Sequence, residues 1–306
     1  MNYVILDLEW NASYSSQLQK YVNEIIEFGA VKVDEKFNIT DKFSRLILPQ
    51  IGKRLSGRVK KLTKITNEEL RQNGVPFMDV AEDFARFSED CVLITWGTTD
   101  IHALIENYQY YTDDCHMPFF NLYCDAQHYC EKCLKKNINL SNQLGLGACA
   151  ELLGVNYEKD EQHRAFADAE LTLECIKKLI GKFSISDYII EVDVKFYDRI
   201  IFKNHFITDL SNSEVDKKQL KFICEKCGKK LSPKKKWKLK NNSFVNEFIC
   251  PNCGYEFIAR VSFKQRFDGV VVKRKTVDKK IIEAKKAAAK LEKAKKEALS
   301  AAENTT

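Results

Sequence analysis

The sequence predicts a mixed α/β sheet with flanking helices, then a small β module built on paired cysteines, then a C-terminal helix. Three observations carry this. The chain opens with three strand-like runs joined by short connections. Strand-like and helix-like segments then alternate to about residue 182. Two C-x2-C turns stand near the C-terminus. The expected boundaries are a first domain over 1–182, a connector over 183–220, a basic cysteine-containing module over 221–277 and a Lys/Ala/Glu-rich helical tail over 278–306.

The runs YVILDLEW (3–10), EIIEFGAVKV (24–33) and FSRLILP (43–49) read as an antiparallel meander. A basic stretch with Lys53, Arg54, Arg58, Lys60, Lys61 and Lys64 follows. It is either a solvated loop or a track for a polyanion. Thr66 as N-cap, Glu69 three residues on and Gly74 at the stop predict a helix over 66–74. Further helices are expected over 77–90, 99–111, 125–134, 145–154 and 164–182, with a buried strand at 91–97 and a short strand at 118–124. The connector offers aromatic-rich pieces such as DVKFYDRIIF without a clear period. The tail's Ala, Lys and Glu favour an exposed helix.

The hydrophobic fraction of 44% is that of a globular protein. No run of about 18 apolar residues offers a membrane span, and no leader pattern opens the chain. The expectation is a cytoplasmic protein with no membrane partner. The net charge of +6 conceals a split: residues 211–306 balance at +14 and residues 1–210 at −8. That asymmetry points the C-terminal part toward nucleic acid, against the plainer reading of a solvated Lys-rich tail. Seven of the eleven cysteines are scattered through the first domain and read as small buried residues.

Asp7 and Glu9 share one face of the first strand, because strand side chains alternate with period two. Like charges this close require a cation or a raised pKa. Asp100 stands just after the strand end in LITWGTTD, where α/β sheets gather their sites, or there merely complements a helix dipole. In HRAFADAEL, His163 and Asp168 lie five residues apart at the start of the last helix of the domain. Ala165, Ala167 and Ala169 leave room for that helix to approach the sheet closely.

These segments, in this order, resemble the DEDD superfamily of 3′–5′ exonucleases, and the histidine of H-x4-D resembles its DEDDh branch. LTKITNEEL (62–70) is similar to the T-x-I-T-x-E-x-L segment common there, and WGTTD is most similar to the ERI-like and KapD-like group. One departure is Phe166-Ala167, where relatives often carry Leu and a polar or acidic residue. The resemblance covers residues 1–182 and implies a ribonuclease H-like fold and hydrolysis of phosphodiesters from a 3′ end. It further implies two Mg2+ or Mn2+ ions held by Asp7, Glu9, Asp100 and Asp168, with His163 as general base. Oxygen-only ligands suit those hard cations, and histidine is the side chain whose ordinary pKa lies nearest neutrality. Leu8 and Trp10 would meet the terminal base and sugar, although Trp10 serves core packing equally well.

CEKCGKKL (224–231) and CPNCGYEF (250–257) resemble the two knuckles of a zinc ribbon. Cys224, Cys227, Cys250 and Cys253 would close a tetrahedral structural site, against redox disulfides or an iron–sulfur cluster. Between the knuckles, Trp237 lies among Lys234, Lys235, Lys236, Lys238 and Lys240, which suits base stacking plus phosphate contact. Ribbons also bind proteins, so a ribonucleoprotein or protein partner is a second use. Cys124, His128, Cys130 and Cys133 sit close in sequence without a second knuckle and read as chance.

The expectation is thus a 3′–5′ exonuclease on single-stranded nucleic acid, with RNA ahead of DNA. Two alternatives share the domain: a non-catalytic nucleic-acid-binding adaptor, and a proofreading subunit of a DNA polymerase. The presence of all five catalytic-type residues, Asp7, Glu9, Asp100, His163 and Asp168, argues against the first, and the extra ribbon against the second.

Overall fold

The computed structural model describes residues 1–52, 54–134, 143–158, 163–233, 235–282 and 284. Lys53, Lys234 and the tail from 285 onward therefore lie outside the described residues. The chain forms two compact units, Met1–Ile201 and Phe202–Thr306.

The first unit carries β1 (Asn2–Ser15), β2 (Lys20–Val33), β3 (Ile39–Leu46), α1 (Gly57–Thr63), α2 (Asn67–Asn73), α3 (Phe77–Phe87), β4 (Cys91–Thr95) and α4 (Thr99–Thr112). It continues through β5 (Leu122–Asp125), α5 (Ala126–Leu134), α6 (Leu146–Leu153), α7 (Ala165–Lys177), β6 (Ile189–Glu191) and α8 (Val194–Ile201). The sheet order is β3-β2-β1-β4-β5-β6. The first three strands form the antiparallel meander, β4 and β5 join in parallel, and β6 closes the edge antiparallel. This is the mixed sheet the sequence predicts.

Alternation along β1 divides the core between the two sheet faces. Val4, Leu6 and Leu8 pack with Phe77, Val80 and Phe84 of α3 and Ile101 and Leu104 of α4. Tyr3 and Ile5 pack on the opposite face with Tyr129 of α5, Cys149 of α6 and Leu173 of α7. Asp7 and Glu9 continue the second series, so the strand's period aims both acids at the face that α7 covers. The cap of α2 is as expected, with Thr66 accepting the Glu69 N–H at 3.0 Å and the Glu69 carboxylate accepting the Thr66 N–H.

Several expectations shift. The third strand begins at Ile39, before FSRLILP, and ends at Leu46. The basic stretch contains α1, capped by Ser56. The predicted strand at 118–124 is confined to Leu122–Asp125. The long helix at 164–182 is α7 only to Lys177, and Gly181 adopts a left-handed φ of 93° beyond it. The connector contributes to the first unit: β6 pairs with β5, and α8 buries Phe196 and Tyr197, whose hydroxyl accepts the Met117 N–H and donates to the Met117 carbonyl, both at 3.0 Å. The unit therefore runs past residue 182 to Ile201.

The second unit holds β7 (His205–Phe206), β8 (Phe222–Ile223), β9 (Lys230–Leu231), β10 (Lys238–Lys240), β11 (Ser243–Ile249), β12 (Glu256–Arg266) and β13 (Gly269–Asp278). β10 to β13 form an antiparallel sheet, with β7 added to the edge of β12, and β8–β9 is a separate hairpin. Helix begins at Lys279, directly after β13. Among the described residues no helix is long and apolar enough to cross a membrane.

Candidate active site

The site forms because β4 stops while β1 continues. β4 pairs with β1 only from Asn2 to Ile5, which leaves the next stretch of β1 without a strand on that edge. The Leu8 N–H there donates to Asp100 Oδ1 at 3.2 Å, pinning the first turn of α4 against β1. Gly97 makes the turn out of β4 with φ of 77°, a conformation costly for any residue with a Cβ. Its N–H donates to Asp125 Oδ1 at 3.2 Å and its carbonyl accepts the Tyr123 hydroxyl at 2.8 Å. Asp100 is consequently only 4% exposed.

α7 comes from the other direction. Gly29 lies opposite Asp7 on β2. A Cβ on Gly29 would fall 2.0 Å from the Phe166 nitrogen and 2.1 Å from the Ala165 carbonyl carbon. The start of α7 thus rests directly on the β2 backbone. Buried Glu27, two residues earlier and opposite Glu9, grips that helix start. Its carboxylate accepts Arg164 Nη2 at 2.7 Å, Arg164 Nε at 3.1 Å and the Ala165 N–H at 3.0 Å. Ala165 and Ala169 are fully buried, as the small residues predict. His163 takes φ of 67° and donates its backbone N–H to Asp168 Oδ2 at 3.1 Å.

The five predicted residues are brought to one place. Ligating atoms of Glu9, His163 and Asp168 lie within 4.8 Å of one another. Burial, and then the fields of Asp100, Asp168, Glu9 and Glu27, hold the Asp7 carboxyl well above the ordinary carboxylate range. Burial, reinforced by Asp168, Glu27 and Asp100, pushes Glu9 up to about 8. Burial lifts Asp100 to about 7 against the Leu8 hydrogen bond, and it raises Asp168 as well. The neighbouring cation, Arg164, is held by Glu27. Four convergent carboxylates so placed must keep protons or share cations. An all-oxygen donor set with this repulsion fits hard divalent ions, Asp7, Glu9, Asp100 and Asp168 being the residues that would hold them.

The expected substrate contacts fare differently. The Leu8 side chain is 2% exposed in the core on the face away from Asp7, which corrects its placement against substrate; its backbone N–H positions Asp100 instead. Trp10 is half-buried against the same core cluster. Sequence reasoning did not single out Glu27, Arg164 or Gly29. The signal available was register: in a meander, EFG places Glu27 and Gly29 beside Glu9 and Asp7.

In the second unit the four thiols Cys224, Cys227, Cys250 and Cys253 lie within 4.8 Å of one another. Gly228 and Gly254 take φ of 72° and 69°, and their N–H groups donate to the carbonyls of Cys224 and Cys250, each at 2.9 Å. The two knuckles are thus alike, and four thiolates fit a closed structural zinc site. Such a site contributes on the order of 10 kcal/mol to folding, so Cys250→Ser is expected to abolish stoichiometric zinc and the cooperative unfolding of this unit. Metal analysis with circular dichroism checks this; full zinc content in the variant would refute it. Trp237 is half-buried, its ring packed against Phe222 and Phe248 at the border of the unit's core. Cys124, His128, Cys130 and Cys133 form no cluster of ligating atoms, and all three cysteines are buried.

Comparison with known proteins agrees with this geometry. The exonuclease family, RNase_T, matches residues 4–176. The nuclease domain of 3′hExo, a DEDDh family member bound to rAMP, is similar with a TM-score of 0.50 and 21% identity, covering 58% of this chain and 91% of that one. Cell-death related nuclease 4 (CRN-4) is similar with a TM-score of 0.50 and 17% identity, covering 58% of this chain and 63% of that one. No curated protein sequence matches the chain significantly. At these identities the solved structures speak for the fold, and the family follows from a match over more than half of the 306 residues: the chain belongs to the exonucleases, metal-dependent hydrolases that act on nucleic acid.

Proposed function

We propose that the chain removes nucleotides from the 3′ end of single-stranded nucleic acid, RNA ahead of DNA, using two Mg2+ or Mn2+ ions and His163 as general base. The observation that carries this reading is the convergence of Asp7, Glu9, Asp100 and Asp168, from three separate segments, beside His163. The preference for RNA accords with the rAMP bound to the 3′hExo nuclease domain.

Divalent ions in such a site supply hydroxide at neutral pH and counter-charge for the phosphate oxygens. The protein residues do the rest. The Asp168 carboxylate, by accepting the His163 N–H, fixes the left-handed turn that presents the imidazole beside Glu9. His163 is exposed, so it can take a proton from the attacking water and pass it to solvent. Glu27 and Arg164 hold the backbone from which both groups project. The zinc ribbon then docks the substrate, or a larger ribonucleoprotein, without joining the chemistry.

The test is degradation of matched single-stranded RNA, single-stranded DNA and duplexes, labelled at either end, with Mg2+ or Mn2+. Shortening from the 3′ end, fastest on single-stranded RNA, is the expected result. His163→Ala should lower kcat by about 10²–10⁴-fold, the usual contribution of a positioned acid–base group. Turnover equal to the parent's in that variant would refute its role.

A further inference from the structure

In the sheet of the second unit, Phe244, Phe248, Phe257, Ala259, Val261 and Phe263 turn inward and are at most 3% exposed. Period-two alternation sends the residues between them outward. Strand register then aligns Lys238 with Val245, Val245 with Arg260, and Arg260 with Lys275, one row across all four strands. The next row places Lys240 beside Ser243 and Ser262 beside Lys273. Beyond it Lys264 stands between Phe206 and Val271.

Lys238, Lys240, Arg260, Lys273 and Lys275 are exposed, and none has an ion pair among the described residues. The acids on this face, Glu247 and Glu256, lie together toward the Ile258 end, and Glu256 is taken by Lys279 at 2.7 Å. A cavity of about 180 Å³ opens at the edge, where Lys235, Lys236, Lys238 and Lys240 outnumber the one acid, Glu247, around Val245 and Ile258. Backbone positions lie ~4.8 Å apart on adjacent strands and ~6.7 Å apart at alternate residues of one strand; this sets Arg260 beside Lys275 and aligns Lys238 with Lys240 and Lys273 with Lys275 along their strands, so like charges crowd one face and repel. A polyanion relieves that repulsion, and the serine hydroxyls add donors of the kind that contact phosphates.

We infer that this outer sheet face, including Lys238 and Lys240 at its β10 edge, is the surface through which the second unit holds the sugar–phosphate backbone of a nucleic acid. The inference rests on reading the chain as acting on nucleic acid. Backbone contact of this kind is insensitive to sequence and strongly dependent on salt.

The test uses the whole 306-residue, zinc-loaded chain carrying Asp7→Asn, so that a labelled single-stranded oligonucleotide survives the titration. Reversing Arg260, Lys273 and Lys275 to Glu is expected to weaken binding at least about tenfold at physiological salt and to reduce the slope of log K against log salt by about 2. Reversing Lys36, Lys178 and Lys195, exposed lysines of the first unit, makes the same change in net charge and should leave both quantities near the parent values. Arg260→Gln, Lys273→Gln and Lys275→Gln together should give an intermediate loss, and they provide the readout if the Glu variant loses zinc or fails to fold. Unchanged affinity and slope in a folded sheet-face variant would overturn the proposal. So would an equal loss in the control, or binding to anionic phospholipid vesicles without binding to the oligonucleotide. Absence of nuclease turnover in the parent chain would count against the proposed function alone, because this titration does not depend on hydrolysis.

Discussion

Asp7→Asn is expected to raise the melting temperature of the metal-free protein at pH 8 while removing its nuclease activity. Asp7 sits in the combined field of Asp100, Asp168, Glu9 and Glu27, and burial adds to its discomfort. Glu9 and Asp100 hold protons to about 8 and about 7, far above their unfolded values. Groups whose folded pKa is raised contribute stability that is full below the unfolded pKa, about 4 for a carboxyl, and is lost as pH climbs through the folded pKa. The metal-free protein should therefore become less stable from about pH 5 to pH 8, where divalent ions are most needed. Neutralising Asp7 relieves the other acids, and a gain of about 1–2 kcal/mol appears as roughly 3–6 °C in a unit of this size. The same change removes a metal ligand, and a loss of about 4 kcal/mol of transition-state stabilisation is about a thousandfold in kcat. Thermal melts at pH 5.5 and 8 with chelated divalent ions, paired with turnover assays, check both halves. A variant less stable than the parent at pH 8 would contradict the electrostatic account.

Gly29→Ala should impair catalysis as severely as many changes inside the site, although Gly29 bears no functional group. The added carbon would meet backbone atoms of Phe166 and Ala165 at 2.0 and 2.1 Å, and backbone cannot swing aside as a side-chain tip can. α7 must lift from β2, which strains the Glu27–Arg164 grip and moves Asp168 and His163 away from Glu9. Overpacking of this kind costs about 1–3 kcal/mol, and displacing a catalytic group by about 1 Å can cost about a hundredfold in rate. The expected outcome is a melting temperature lower by about 3–10 °C and kcat lower by about a hundredfold or more. Parental kcat in the folded variant would show that α7 does not owe its position to this glycine.

Gly29 also marks where legibility in the sequence ended. Asp7 and Glu9 were readable because an apolar strand that turns acidic on one face breaks its own pattern. The α2 cap and the paired knuckles were readable because capping and metal binding demand particular residues at fixed offsets. What escaped depends on partners distant in sequence. β1 runs on to Ser15 and β2 starts at Lys20, and NASYS looks like a loop because its residues are polar. The fold buries Asn11, Ser13 and Ser15 by supplying hydrogen bonds: Ser13 donates to Glu24 Oε2 at 2.6 Å, and Asn11 Oδ1 accepts the Ser56 N–H at 2.9 Å. Glu24 in turn accepts backbone N–H groups of Gln50, Ile51 and Gly52, fixing the approach to α1. Trp237 shows the opposite case: an aromatic among lysines reads as a ligand surface, and the fold half-buries its ring against Phe222 and Phe248.

Calorimetric titration of Mn2+ into the metal-free protein near pH 6.5, in buffers of different ionisation enthalpy, shows whether the four acids act as one cation site. If Asp7, Glu9, Asp100 and Asp168 form one cation site, Mn2+ must displace the protons that Glu9 and Asp100 hold up to about 8 and about 7. Mn2+ should bind with proton release, more tightly as pH rises, and binding should be lost in Asp7→Asn. Absence of binding, or Mn2+ binding that releases no protons and survives Asp7→Asn, would contradict a shared cation site.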